Sequence, residues 1–448
     1  MPEGLPFQHL GCRVAASSEA ENLGSARNAQ PAFAGDQEGR KPGKEEEIQK
    51  RGTMTAFREG RHCGVRMILP MEPTEILVEA RRLGRLADSA LASRDHETAC
   101  RCYQEALPLF QQVGEIQGEA NCLLRLGIVA QARSDYGTAR RLYEMALPLY
   151  RQLKDLTEEG RCVRNLGEMA LARSDYGTAH GHFKEALRLC GMGEDAVGKA
   201  HCMLGLGRIA LGRSEDEAAA AHFEGARALY RQAGNLSGEA DCISRLAGCM
   251  FRRSDYAGAR ERYEEAQRLF RQRGNLQGEA HCLLDLGHIA LAASDYAEAR
   301  QRYEEALPLY RETSDLLGQA GCISNLGRIA LKESDEETAI RCCEEALTLY
   351  RQLGNLVGGA DCARTLGEIA VRRSDLSSAR QRFAQALSLY ERVPKPLFIG
   401  ITHRLMARIA RNETEKREHV RAAHRAWAGV QRADLVQLLE QEFGRSGR

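Results

Sequence analysis

Residues 278–311 read GEAHCLLDLGHIALAASDYAEARQRYEEALPLYR. Two apolar stripes run through them. Cys282, Leu283, Leu286, Gly287, Ile289 and Ala290 recur at spacings of three and four, the pattern of one helix face. Ala299, Tyr303, Ala306, Leu307 and Tyr310 do the same in the second half. Ser294-Asp295 interrupts the pattern. Both side chains accept from free backbone N–H groups and so cap a following helix. Upstream, Gly274-Asn275 supplies residues that tolerate left-handed backbone and end a helix. The stretch predicts helix–turn–helix, with Gly287 and Ala299 where its two helices cross and Ala306 against the next unit.

The same unit recurs along the chain. Leu-Gly stands at 126–127, 166–167, 206–207, 286–287, 326–327 and 366–367, a spacing of 40 residues, with Leu246-Ala247 in the remaining slot. Cys122, Cys162, Cys202, Cys242, Cys282, Cys322 and Cys362 keep the same beat, four before each Leu. A fixed period in this range marks a repeat architecture in which each unit buries its apolar face against its neighbours. The expected fold is an all-α solenoid with an extended concave surface, which favours binding over catalysis. Pro108, Pro148 and Pro308 fall in the last turns of three second helices, where each removes a hydrogen bond and bends the axis.

Composition agrees. The 448 residues are 43% apolar and 28% charged, with a net charge of +1, so no basic excess points to nucleic acid. The 15 Cys include seven in one helical slot and no metal-type pair of pairs, which reads as small buried thiols in a reducing compartment. No apolar run approaches membrane-spanning length and no secretory signal opens the chain, so a cytoplasmic location and no membrane are expected. Residues 1–70 lack helical periodicity and are expected to be a disordered leader. Residues 71–411 carry the tandem repeats: eight clear units and the start of a degenerate ninth. Residues 412–448, with Trp427, Leu435, Leu438, Leu439 and Phe443 at helical spacings, are expected to cap the last apolar face.

The layout resembles the tetratricopeptide repeat family. The Leu-Gly pair, Ala139 and Tyr143 of a second helix and the following Ala146 carry the likeness over about residues 74–411. The family's usual unit has 34 residues. The longer unit here, with its Gly-Asn-x-x-Gly-Glu-Ala linker, is similar to arrays of G-protein-signalling modulators and of bacterial signalling ATPases. That resemblance implies a non-enzymatic scaffold or adaptor. Its alternative is a regulatory sensor arm of a signalling ATPase or a transcription-regulator system.

Motifs for chemistry fail on inspection. Gly193 to Ala200 almost spells a P-loop, but Ala200 replaces the Mg²⁺-binding hydroxyl and no strand precedes it. His281 and His288 lie two helical turns apart, roughly 10.5 Å, too far to share one metal. No cofactor, metal or catalytic set is expected. In the resembled family the first helices line the concave groove. The groove slots here are one before, two after and six after each periodic Cys. They hold Arg161, Arg164 and Glu168; His201, Leu204 and Arg208; His281, Leu284 and His288; Arg328; and Arg364 and Glu368. A further apolar slot, nine after the Cys, includes Phe251 and Leu291. These fourteen residues are the candidate peptide-binding groove, with the arginines meeting acidic groups and the apolar residues anchoring a peptide or partner helix. The Lys and Asn with which chaperone-binding members hold a carboxylate are replaced by Leu124, Arg164, Leu204, Ile128, Glu168 and Arg208.

Overall fold

A computed structural model describes residues 57–59, 68–70, 72–430 and 432–444. Phe57–Glu59 and Ile68–Pro70 form a short antiparallel pair with Phe57 opposite Pro70. At those six positions the expected disorder gives way to backbone pairing; the rest of 1–70 lies outside the described residues. From Pro73 onward the described residues form nineteen helices, from Pro73–Ala92 to Ala433–Phe443. They divide at residues 229 and 230 into two compact units.

The 40-residue period has a simple origin. Leu276–Ala292 and Tyr296–Glu312 are 17 residues each, and three residues join them. The middle residue of each turn takes a left-handed backbone: φ is 63° at Gly274 and 62° at Ser294. The third residue caps the next helix. Asn275 Oδ1 accepts from Gly278 N at 3.0 Å, and Asp295 Oδ1 accepts from Glu298 N at 3.0 Å. The expectation that Ser and Asp share the capping is thereby corrected. Asp caps, while Ser adopts a left-handed conformation that costs an L-residue about 1–2 kcal/mol; Ser134, Ser174, Ser254 and Ser374 repeat it. The P-loop-like stretch is the same device, with Asp195 Oδ1 accepting from Gly198 N at 2.8 Å at the start of Ala196–Gly212.

Two aromatic-over-glycine contacts set the packing. Within a unit, the fully buried Tyr303 ring covers Gly287, where a Cβ would sit 2.5 Å from Cε1. Between units, Phe270 covers Gly278 in the same way at 2.5 Å. Ala299 and Ala306 are completely buried beside these rings, in one cluster with Cys322 and Ile329 of the following unit. All seven periodic Cys are buried and none is in a disulfide. Burial pushes the thiols of Cys122 and Cys162 up to about 12 and that of Cys282 well above the usual range. Thiol labelling at pH 8 is therefore expected to modify the half-buried Cys100 quickly and Cys202, Cys242 and Cys282 only as the helices open, because the thiolate is the reacting form. Equal rates for both groups would place the periodic thiols on the surface. Cys12 and Cys63 lie outside the described residues.

Within each compact unit, successive first helices touch. Leu156–Ala172 lies against Ala196–Gly212, and Leu276–Ala292, Leu316–Lys332 and Leu356–Arg372 follow one another side by side. Successive second helices stand further apart, so the first helices lie on the inside of each local curve.

The ninth pair is Pro396–Arg408 with Glu413–Ala428, and Ala433–Phe443 lies across the latter. Trp427 is completely buried and its indole N–H donates to Leu397 O at 3.0 Å. His403 and His419 meet between the two helices, Nδ1 to Nδ1 at 3.1 Å. Burial, then His419 and Arg425, push the His403 imidazole down to about 4, and burial lowers His419 too. Free histidine titrates near 6.5. Between those values the unfolded chain binds more protons than the folded one, so stability falls with falling pH. Hydrogen-exchange protection over 396–428, taken relative to the free-peptide rate at each pH, is expected to fall as pH drops from about 6.5 towards 4, and His403→Gln to flatten that profile. A profile identical in the parent and the variant would remove His403 as the cause.

Candidate functional site

The face of the first helices on the inside of each curve carries side chains that the core does not claim. Taking the compact unit before residue 230 first, Arg161 pairs with Glu158 at 3.0 Å. Arg208 Nη1 donates to Glu168 Oε2 at 2.7 Å, tying two expected groove residues of neighbouring units to each other. Arg164 Nη2 donates to the neutral Asn165 Oδ1 at 3.4 Å and meets no carboxylate among the described residues. His201 Nδ1 lies 2.8 Å from Val197 O, and burial, then Arg164, lower its pKa. Leu204 is half-buried beside it.

In the compact unit from residue 230 the set divides differently. Arg364 pairs with both Glu368 and Asp361, and Asp361 also accepts from Tyr390 Oη at 2.6 Å, so the charges of Arg364 and Glu368 are spent internally. His281 is exposed, 3.8 Å from Asp315, with its ring edge-on to Tyr310. Leu284 and Leu291 are half-buried. Arg328 Nη1 donates to Asn325 Oδ1 at 2.9 Å and has no carboxylate partner among the described residues. Asn325 Nδ2 in turn approaches His288 Nε2 at 3.2 Å.

Two expectations fail here. Phe251, expected as an exposed anchor, is 9% exposed and packs edge-on against Tyr256 at 5.4 Å in the core. Its ring is long enough to fold back over the turn, where Leu291 in the same slot stays half-buried. His288, expected on the surface, is 5% exposed because it lies against Tyr303 and meets Asn325 of the next unit.

The residue immediately before each Leu-Gly pair was overlooked by the sequence reading. It is Arg125, Asn165, Gly205, Asp285, Asn325 and Thr365 in turn. Asn165 and Asn325 are buried and orient Arg164 and Arg328. The signal was available: in five of the six pairs this slot is polar next to an otherwise apolar beat.

A groove with a volume of about 780 Å³ lies elsewhere on the first-helix face, between Pro73–Ala92 and Ile116–Ala132 and reaching Glu158. None of the fourteen expected residues lines it. Among the described residues no group of three metal-ligating side chains converges, and no helix is long and apolar enough to cross a membrane.

A stack of helix pairs that buries the same slots in every unit and varies the residues on one face is a helical-repeat binding array. The Tetratricopeptide repeat family model matches residues 79–152, 239–312 and 319–392, and the chain is a tetratricopeptide-repeat protein. No curated protein sequence matches it. Among solved structures, a Signal Transduction ATPase with Numerous Domains with a tetratricopeptide repeat sensor, from Pyrococcus horikoshii, is similar at 13% identity and TM-score 0.61, over 98% of this chain and 68% of that one. A Rap protein complexed with Competence and Sporulation Factor is similar at 14% identity and TM-score 0.50, over 72% of this chain and 99% of that one. At these identities the likeness is one of fold.

Proposed function

We propose that the protein is a non-enzymatic scaffold or adaptor that holds a peptide or partner helix against the inner face of its first helices. The observation that carries this reading is the contrast between slots. The core repeats Cys, Leu-Gly, Ala and aromatic residues unit after unit, while the face changes from arginine to histidine to leucine. Repeats that only had to stack would not need that variation. Specificity falls to Arg164 and Arg328, whose guanidinium groups are oriented by buried Asn but not neutralised. Arg161 and Arg364 pair with carboxylates of their own helices, and Arg208 ties two neighbouring units together. Leu204, Leu284 and Leu291 supply apolar contact.

For a partner recovered by affinity capture, reversing Arg164 and Arg328 to Glu is expected to slow association and flatten its salt dependence. Leu284→Ala is expected to speed dissociation roughly tenfold. Unchanged rates in all these variants would exclude Arg164, Leu284 and Arg328 as the binding residues. The second reading, a sensor arm of a signalling ATPase or transcription regulator, uses the same face. The similar Pyrococcus horikoshii protein is itself an ATPase whose repeats are named a sensor. A captured partner carrying an ATPase domain would select that reading over a general adaptor.

A further inference from the structure

The groove at the start of the array has a single sequence cause. Two positions after the periodic slot, later units carry a leucine (Leu124, Leu204, Leu284), an arginine (Arg164, Arg364) or a serine (Ser244, Ser324), but the first unit carries Gly84. A Cβ built on Gly84 meets nothing within 4 Å. The missing side chain opens the space between Pro73–Ala92 and Ile116–Ala132, and about 780 Å³ lies within the usual range for a ligand site.

Its chemistry is lopsided. The carboxylates that line it each have a partner, although one Glu158 oxygen is buried without one. Asp88 accepts from Tyr103 Oη at 2.6 Å and stands 3.7 Å from Arg125; Asp155 caps its own helix, accepting from Glu158 N at 3.1 Å; Glu158 pairs with Arg161 at 3.0 Å. Arg81 and Arg85 are one turn apart, exposed, and meet no carboxylate among the described residues. Phe110 and Tyr103 present buried aromatic surface to the groove, and Val78, 65% exposed, stands on it. Two unneutralised guanidinium groups beside aromatic and aliphatic surface suit an occupant that brings negative charge and apolar surface together.

We infer that this groove is a docking site for an extended segment of a partner protein in which a carboxylate side chain adjoins a branched aliphatic one. Arg81 and Arg85 receive the carboxylate and the wall made by Phe110 and Val78 receives the aliphatic group. The inference rests on the inner face being the binding face, but it places the acidic contact on residues outside the Arg164 and Arg328 set.

The test uses the whole chain and a fluorescein-labelled peptide of alternating Leu and Glu, read by anisotropy. Peptides with every Glu changed to Gln, or every Leu to Ser, are expected to bind roughly tenfold more weakly or worse. Gly84→Leu fills the groove and is expected to abolish binding with helicity unchanged, since nothing stands where its Cβ goes. Arg81→Gln with Arg85→Gln is expected to weaken the Glu peptide and leave the Gln peptide unaffected. No binding, or binding that survives Gly84→Leu, overturns the inference. Should the peptide bind only a chain starting at Met71, and bind the full chain once Glu45, Glu46 and Glu47 are changed to Gln, the occupant is the protein's own leader and the partner assignment falls. A captured partner that loses binding with Arg164→Glu and Arg328→Glu but not with Gly84→Leu leaves the inner-face reading intact and removes this groove alone.

Discussion

Trp427→Ala is expected to unfold the end of the array and leave the rest folded. The indole is completely buried among Ala407, Val420, Ala423, Leu435 and Leu439, and it covers Gly400. Emptying a site of that size costs about 3–5 kcal/mol. Leu397 O also loses the indole donor at 3.0 Å, a hydrogen bond worth about 1 kcal/mol. In a repeat array stability is a sum of local and nearest-neighbour terms, and the last pair has a neighbour on one side and a short helix on the other. The loss exceeds what so small a segment retains. Limited proteolysis should cut between Val393 and Phe443 while the fragment ending before Val393 keeps its helicity. A single melting transition that shifts as a whole would show that the ninth pair is not an independent end.

Gly287→Leu has the second largest expected effect, by the opposite mechanism. The Cβ alone would sit 2.5 Å from Tyr303 Cε1, and the ring is fully buried with no free volume to move into. Overpacking of this kind costs typically 1–3 kcal/mol, and here the two helices must part to relieve it. Leucine regains part of this through its better helix propensity, on the order of 1 kcal/mol, so the net loss is expected to be up to about 2 kcal/mol. Exchange should quicken over 276–312 and its immediate neighbours and remain unchanged near residue 150. The Leu246-Ala247 unit tolerates a methyl at this point, and Ala247 is fully buried there. Gly287→Ala is therefore expected to cost much less than Gly287→Leu.

The sequence carried the fold almost completely, because one 40-residue pattern repeated faithfully constrains every unit by every other. Asp295 as a cap, Gly274 as a left-handed stop and Gly287 beneath a ring could each be read from type and spacing. Ser294 could not, because serine is a common cap and a rare left-handed residue, and only the backbone distinguishes the roles. The face was less legible. A helix position nine after the Cys points away from the core on a wheel, yet the Phe251 ring reaches back to Tyr256 where a shorter side chain stays out. Which arginines are free depends on partners that lie up to 40 residues away, as with Arg208 and Glu168. The groove at Gly84 was hidden because the first unit lacks the Cys that marks the register, Arg82 standing in its place.

Affinity capture from lysate with quantitative mass spectrometry tests the binding face most directly. Three forms of the whole chain are compared: the parent, a form with Arg164→Glu, Arg328→Glu and Leu284→Ser on the first helices, and a control with Arg140→Glu and Arg141→Glu on a second helix. A defined set of proteins should be retained by the parent and the control and lost from the first-helix variant. The same proteins retained by all three, or lost only from the second-helix control, would place binding away from Arg164, Leu284 and Arg328.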